Sequence, residues 1–193
     1  MRNGNWMTAK EVLKVNAFKW PAKVGIKDLY KEYTFSQWND RACRLANALS
    51  AMGLKKGDRF AVLAYNCVEW MEIYAAAAKG GFICVPLMFR LAPVEMEYII
   101  GHCEAKALIV QGGSGRDGKA FPWIDQVRHM KKNLPTVEHY ISFAAEGNPR
   151  YDGFVSYEDL VATSGPSEPD TVVHADDPWV IMYTGGTTGT PKG

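Results

Sequence analysis

The chain has 193 residues, and its composition excludes several classes of protein. Lys and Arg number 22 against 21 for Asp and Glu, so the net charge is only +1, and no basic field for nucleic acid or an anionic membrane is expected. The hydrophobic fraction of 47% and the charged fraction of 22% are ordinary for a globular protein that buries a sizeable core.

The cysteines and the chain start indicate a cytoplasmic protein. Cys43, Cys67, Cys84 and Cys103 contain no Cys-x-x-Cys pair, and each lies in or beside a predicted helix or apolar strand. We therefore predict buried thiols in a reducing compartment rather than disulfides or a metal site. Residues 1–5 lead into no apolar segment, so no signal peptide is predicted. No apolar run reaches the length needed for a transmembrane helix.

Helical and strand patterns alternate along the chain. A capping box at 34–37 precedes the first clear helix, which Gly53 ends. Asn66 and Glu69 are candidate caps for the second helix, which is apolar nearly all round and therefore expected to be deeply buried. Helices are predicted over 38–52, 68–79, 93–103, 122–133 and 156–161, and strands over 59–65, 82–87, 107–110, 137–143 and 179–183.

This order predicts the fold class. Strands that are separated by single helices form a parallel sheet with right-handed crossovers. We therefore expect an α/β fold: a doubly wound, mostly parallel sheet with helices on both faces. Residues 164–170 are too polar and too rich in Pro for an element, so they are predicted to connect the last helix to the final strand.

The end of the chain carries a candidate phosphate-binding loop, Tyr-Thr-Gly-Gly-Thr-Thr-Gly-Thr-Pro-Lys-Gly over 183–193. Glycines permit positive φ and let backbone N–H groups approach an anion, threonine hydroxyls add donors, and Lys192 adds a positive charge. The loop differs from Walker A because Lys192 follows Pro191 and no helix follows. The candidate phosphate ligands are Thr184, Gly185, Gly186, Thr187, Thr188, Gly189 and Lys192.

The motif resembles the Tyr-Thr-Ser-Gly-Thr-Thr-Gly-x-Pro-Lys-Gly signature of the adenylate-forming (AMP-binding) superfamily. Every fixed position matches except one, where Gly185 replaces Ser. Gly185 together with the following Thr pair is most similar to the long-chain fatty acid–CoA ligase branch of the acyl-CoA synthetases. Segments 33–35, 53–58, 66–70 and 85–91 stand in the order expected for such an enzyme, so the likeness runs from about residue 12 onward. Met88 and Ala92 depart from it, where family members often carry Asn and Thr.

The resemblance implies a two-step reaction. A carboxylate attacks the α-phosphate of ATP, pyrophosphate leaves, and the thiol of coenzyme A then displaces AMP from the acyl-adenylate. It implies ATP, Mg²⁺, coenzyme A and a small-molecule carboxylic acid as ligands, with the loop stabilising the departing pyrophosphate. Thr184 is a candidate contact of the Mg²⁺ ion.

The resemblance also implies that further parts of the enzyme follow in full-length members: an adenine-binding segment, an acidic Mg²⁺ ligand, the acyl pocket and a C-terminal domain with its catalytic Lys. Residues 1–193 are therefore expected to form the N-terminal part of the large AMP-binding domain. We expect this part alone to be inactive in adenylation and either poorly soluble or partly unfolded, with one edge of the sheet and one apolar face open.

Two other interpretations remain open on the sequence alone. Gly113, Gly115 and Gly118 fit Gly-x-Gly-x-x-Gly after a strand, which is the pattern of a dinucleotide-binding oxidoreductase. Three residues separate Gly118 from the next predicted helix, however, whereas that glycine normally lies at the helix start. A non-catalytic nucleotide-binding fragment is the second alternative. The adjacent His102 and Cys103 point in different directions on a helix, so packed side chains are expected rather than a catalytic pair.

Overall fold

The computed structural model describes residues 7–115, 118–184 and 191–193, which contain six α-helices and seven strands. The helices are α1 (Ala9–Lys19), α2 (Phe35–Ala51), α3 (Val68–Gly80), α4 (Pro93–His102), α5 (Trp123–Met130) and α6 (Tyr157–Thr163), with a 3₁₀ turn at Lys131–Asn133. The strands are β1 (Val24–Lys27), β2 (Glu32–Thr34), β3 (Arg59–Leu63), β4 (Ile83–Leu87), β5 (Ala107–Gly112), β6 (His139–Ala144) and β7 (Val155–Ser156). No helix within these residues is long and apolar enough to cross a membrane.

The main sheet has five strands in the order β4-β3-β5-β6-β7, and every neighbouring pair is parallel. From β3 the chain moves outward to β4 and then crosses back to β5 on the other side of β3. Such a reversal of strand order opens a crevice at the carboxyl ends of β3 and β5.

Helices cover both faces of this sheet, so the predicted doubly wound α/β fold is confirmed. On one face, α2, α3 and α6 pack against Phe60 and Val62 of β3. On the other face, α4 and α5 pack against Ala61 and Leu63 of the same strand. All four β3 residues are fully buried, because successive side chains of a strand point to opposite faces and both faces are covered.

The capping box at the start of α2 forms as predicted. The Gln37 N–H donates to Thr34 Oγ1 at 3.2 Å, and the Thr34 N–H donates to Gln37 Oε1 at 2.9 Å. Gly53 follows the helix with φ of +103°, a conformation that suits glycine. The helix therefore begins and ends where local chemistry dictates.

The cap of α3 differs from the prediction. Cys67 is the N-cap residue and provides no side-chain cap. The N–H of Val68 instead donates to Asp28 Oδ2 at 2.9 Å. Asp28 lies in the turn of an antiparallel hairpin, β1–β2, which the sequence patterns did not predict. Glu69 is buried and pairs with Lys31 from the same turn, so it does not cap the helix either.

The deeply buried helix α3 carries three buried charged residues, and each has a partner from another element. Glu69 and Glu72 pair with Lys31 and Arg41, respectively. Lys79 is fully buried, and its Nζ lies 2.8 Å from Glu168 Oε1 in the connecting segment. Buried charges need such partners because desolvation of an isolated ion is costly. The helix is thus buried as predicted, but ion pairs as well as apolar contacts hold it in place.

The cysteines are free thiols, as expected. Cys43, Cys84 and Cys103 are buried and Cys67 is half-buried. Burial raises the pKa of Cys43 to about 11 and raises the pKa of Cys84 above its usual range. Both side chains are therefore uncharged at neutral pH and behave as small apolar groups.

Candidate functional site

The segment that leads into the glycine–threonine motif runs along the outer edge of β4. The Cys84 N–H donates to the Trp179 carbonyl at 2.9 Å, and the Ile181 N–H donates to the Cys84 carbonyl at 3.0 Å. This parallel contact is a single bridge, so the predicted interior strand at 179–183 is wrong. Pro86 gives the reason, since it has no N–H to donate where the ladder would continue. Trp179 and Met182 are 40% and 65% exposed, which also departs from an interior strand.

The structure brings the first and last candidate ligands together. The Thr184 N–H donates to the Lys192 carbonyl at 2.8 Å, and the Lys192 N–H donates to the Thr184 carbonyl at 3.1 Å. The two residues thus form an antiparallel pair, and both are exposed. Gly185, Gly186, Thr187, Thr188 and Gly189 lie outside the described residues. Their roles as phosphate ligands stay predictions, as does the proposed contact between Thr184 and Mg²⁺.

Tyr183 anchors this pair to the sheet domain. Its hydroxyl lies 2.6 Å from Nδ1 of His102, the last residue of α4. The two rings meet edge to face, with centroids 5.7 Å apart. The Tyr183 ring also packs against Gly193, where an added Cβ would lie only 2.8 Å from two ring carbons. Glycine at 193 therefore permits the close approach.

The contact between His102 and Tyr183 was not predicted from the sequence. The expectation that His102 and Cys103 do not act as a pair agrees with the structure, because the Cys103 thiol is buried and donates to the Ile100 carbonyl at 3.4 Å. His102 turns the other way, toward Tyr183. The two residues are 81 positions apart, so no local pattern could have linked them.

The glycines of the dinucleotide alternative form a hairpin instead of a helix start. Ser114 pairs with Ala120 in an antiparallel bridge, and the Gly115 N–H donates to the Lys119 carbonyl at 2.9 Å. The Gly118 N–H donates to the Gly115 carbonyl at 3.0 Å. These N–H groups are already used, and α5 does not begin until Trp123, so Gly118 does not lie at the helix start that the dinucleotide pattern requires. The dinucleotide-binding oxidoreductase interpretation finds no support.

Across the residues that the structure describes, no group of three or more His, Cys, Asp or Glu side chains is arranged to hold a metal ion. Mg²⁺ usually keeps several waters and binds through substrate phosphates with one or two protein ligands. An exposed hydroxyl such as that of Thr184 suits that coordination. Its Oγ1 makes only a long contact of 3.4 Å to the Lys192 carbonyl.

The described residues thus form an open parallel α/β sheet with the Thr184–Lys192 pair close to its edge, and comparison with known proteins identifies the family. The family described as AMP-binding enzyme matches residues 13–193. The chain therefore belongs to the AMP-binding enzyme family.

CoA ligases are among the curated relatives of the chain. The chain is 35% identical over 160 residues to the long-chain-fatty-acid–CoA ligase FadD13 of Mycobacterium tuberculosis, a match that covers 83% of this chain and 28% of the relative. It is 31% identical over 168 residues to the medium-chain-fatty-acid–CoA ligase of Ectopseudomonas oleovorans, covering 84% and 29%. The chain thus spans less than a third of the length of these curated relatives.

A solved structure has the same fold. The crystal structure of the anthranilate CoA ligase AuaEII in complex with anthranoyl-AMP superposes with a TM-score of 0.85 at 26% identity. The superposition covers 97% of this chain and 34% of that enzyme. The fold is therefore that of the corresponding part of a CoA ligase.

Proposed function

We propose that the chain provides the phosphate-binding part of an ATP-dependent acyl-CoA synthetase, an acid–thiol ligase that activates a fatty acid as its acyl-adenylate and transfers it to coenzyme A. The observation that supports this proposal most directly is the Thr184–Lys192 pair, which holds both ends of the motif side by side on the edge of an AMP-binding fold. Two relatives act on fatty acids by name, which favours a fatty acyl substrate.

In the first step, a carboxylate oxygen of the fatty acid attacks the α-phosphorus of ATP, and the bond from that phosphorus to the bridging oxygen breaks. Negative charge then builds up on the departing pyrophosphate. Lys192 and the N–H and hydroxyl donors of residues 184–189 stabilise this charge. Thr184 would be one ligand of a bound Mg²⁺ ion, which would supply Lewis-acid stabilisation of the phosphates.

In the second step, the thiol sulfur of coenzyme A attacks the acyl carbonyl carbon, and AMP leaves. Pyrophosphate has departed by then, so the loop contributes mainly to the first step. In this proposal, the residues that bind adenine, the acyl chain and coenzyme A lie in the part of the relatives that this chain does not span. Residues 1–193 alone are then inactive in adenylation, because the phosphate loop does not by itself fix the reacting carboxylate. The free cysteines favour the cytoplasm as its location.

The proposal is tested in a chimaera in which residues 13–193 replace the matching segment of FadD13. Fatty-acid-dependent exchange of pyrophosphate into ATP reports the first step, and thioester formation from added acyl-adenylate reports the second. Lys192→Ala and Thr188→Val are expected to lower the first rate more than the second, with Lys192→Ala costing roughly 10-fold or more, as expected for a hydrogen bond to a charged group. Lys132→Ala, on the exposed 3₁₀ turn, is the control and leaves both rates unchanged.

Equal losses in both steps for Lys192→Ala would contradict a role in pyrophosphate departure. A folded chimaera that binds ATP but exchanges no pyrophosphate would contradict the proposed activity. Fatty-acid-dependent exchange by residues 1–193 alone would contradict the requirement for further segments.

A further inference from the structure

The contact between His102 and Tyr183 connects α4 to the start of the candidate phosphate loop. The Tyr183 hydroxyl donates to His102 Nδ1 at 2.6 Å when the imidazole carries its proton on Nε2. The ring of Tyr98, one turn earlier on α4, stacks on His102 with centroids 5.5 Å apart. His102 is therefore held between two tyrosines, with its acceptor turned toward the loop.

The end of α4 is itself fixed to the sheet. The Ala105 N–H donates to the Ile100 carbonyl at 3.1 Å, which closes the helix in a Schellman motif. Arg59, the first residue of β3, donates through Nε to the Cys103 carbonyl at 2.6 Å. His102 thus stands on a helix end that β3 holds in place.

On the other side of the contact, Tyr183 is connected to both ends of the motif. It is joined directly to Thr184, whose backbone pairs with Lys192. Its ring also packs against Gly193, the residue after Lys192. A shift of the Tyr183 ring would therefore be felt at residues 184 and 193 together.

We propose that His102 is a positioning residue for the phosphate loop: through the Tyr183 hydroxyl it fixes the paired ends Thr184 and Lys192 before a polyphosphate binds. This inference rests on the proposed function of the loop. Fixing donors in advance removes part of the ordering cost of binding, so the contact strengthens polyphosphate binding without touching the ligand. His102 is exposed and Tyr183 is half-buried, so the contact adds little to the core.

The test uses the 193-residue chain and two measurements: amide hydrogen exchange of Thr184 and Lys192, and the Kd for inorganic pyrophosphate with Mg²⁺. His102→Ala and Tyr183→Phe each remove the contact and are expected to raise both exchange rates and the Kd by about fivefold, the effect of one neutral hydrogen bond. The double variant is expected to be no worse than either single variant, because both remove the same contact. His102→Gln, which keeps an acceptor, restores most of the wild-type behaviour.

His129→Ala is the matched control. His129 is an exposed histidine on α5, and its Nδ1 lies 2.7 Å from the Asp125 carbonyl, away from the loop. Neither exchange nor Kd changes in this variant, and Tm is unchanged in every variant. A general structural role for His102 would lower Tm and raise exchange throughout the chain, which would overturn the proposal.

Unchanged exchange at Thr184 and Lys192 in His102→Ala would also overturn it. Failure of the proposed function gives a different result: the wild-type chain then binds no pyrophosphate. The exchange rates still decide in that case whether His102 fixes the ends of the motif. Additive effects in the double variant would show that His102 and Tyr183 act separately, against the proposal.

Discussion

The Arg41 guanidinium binds the Glu72 carboxylate at two points, with Nε 2.6 Å from Oε1 and Nη2 3.1 Å from Oε2. This contact joins α2 to α3, and the Glu72 side chain has no exposed surface. Arg41 also binds Glu158, and the Tyr157 hydroxyl donates to Glu72 Oε2 at 2.7 Å. Burial raises the pKa of Glu72, while Arg41 and Tyr157 act in the opposite direction. The buried charge is thus tolerated because three elements converge on it.

The first prediction concerns this network. Arg41→Met leaves Glu72 buried without a cation and is expected to lower the free energy of unfolding by about 3–5 kcal/mol. The double variant Arg41→Met/Glu72→Gln is expected to lose less, because the uncompensated charge is gone. Urea denaturation followed by circular dichroism measures both. If the double variant loses as much free energy of unfolding as Arg41→Met and Glu72→Gln lose in sum, and both single losses are large, the two residues are not coupled.

The second prediction concerns Asp28. Its partial burial favours a higher pKa, but hydrogen bonds from the Tyr30, Val68 and Lys31 N–H groups and the charge of Lys31 lower the pKa below its usual value. A carboxylate with a lowered folded-state pKa stabilises the fold above its unfolded pKa of about 4, and this stabilisation is lost as the pH falls through the folded-state value. Asp28→Ala is therefore expected to cost about 1 kcal/mol at pH 7, a typical effect of losing a cap.

The same variant should also have a flatter dependence of stability on pH below about 4 than the wild type. Urea midpoints measured from pH 7 to pH 2.5 test this. Asp125→Asn is the control, since the Asp125 carboxylate is 75% exposed and pairs with Arg128 on the surface of α5. An Asp28→Ala curve parallel to that of the wild type would refute the capping role.

The third prediction concerns an exposed apolar surface around the start of the loop segment. Met71, Met88, Phe89 and Met182 are 42%, 60%, 36% and 65% exposed and line a cleft of about 450 Å³. Exposed patches of this kind promote association. Met88→Lys/Met182→Lys is expected to shift the chain toward the monomer in size-exclusion chromatography at high concentration. Val172→Lys is the control, because Val172 is 66% exposed but does not line the cleft. Equal elution of both variants would exclude this surface as the cause.

Most of the sheet and its helices could be predicted from the sequence because their signals are local. The capping box at Thr34 fixes the start of α2, and apolar runs bounded by turns give β3 to β6. Helix α1 and the hairpin β1–β2 were missed, since they are short or mostly exposed and their apolar periodicity is weak. Two-residue β7 is too short to leave a pattern.

The site could be predicted only in part, because its supporting contacts join distant residues. The motif predicts Thr184 and Lys192 as candidate ligands, but their backbone pairing depends on the tertiary structure. Asp28 caps a helix 40 positions away, and His102 meets Tyr183 across 81 positions. Burial and hydrogen-bond geometry decide such contacts, and neither follows from the periodicity of a single segment.

The fourth prediction concerns Ala92, where the resemblance to acyl-CoA synthetases leads us to expect Thr. Ala92 is the N-cap residue of α4, with the extended conformation of a cap (φ −68°, ψ 151°) and no side-chain hydrogen bond. The Glu95 carboxylate already accepts the Ala92 N–H at 2.7 Å, so half of a capping box is present. Ala92→Thr adds the other half, since its hydroxyl can accept the Glu95 N–H. We expect a gain of about 1 kcal/mol in the free energy of unfolding, seen as a higher urea midpoint with an unchanged slope. Ala92→Val is the control, because Val has the same branched shape as Thr without the hydroxyl and should give no gain. Equal urea midpoints for the two variants would show that the hydroxyl does not cap the helix.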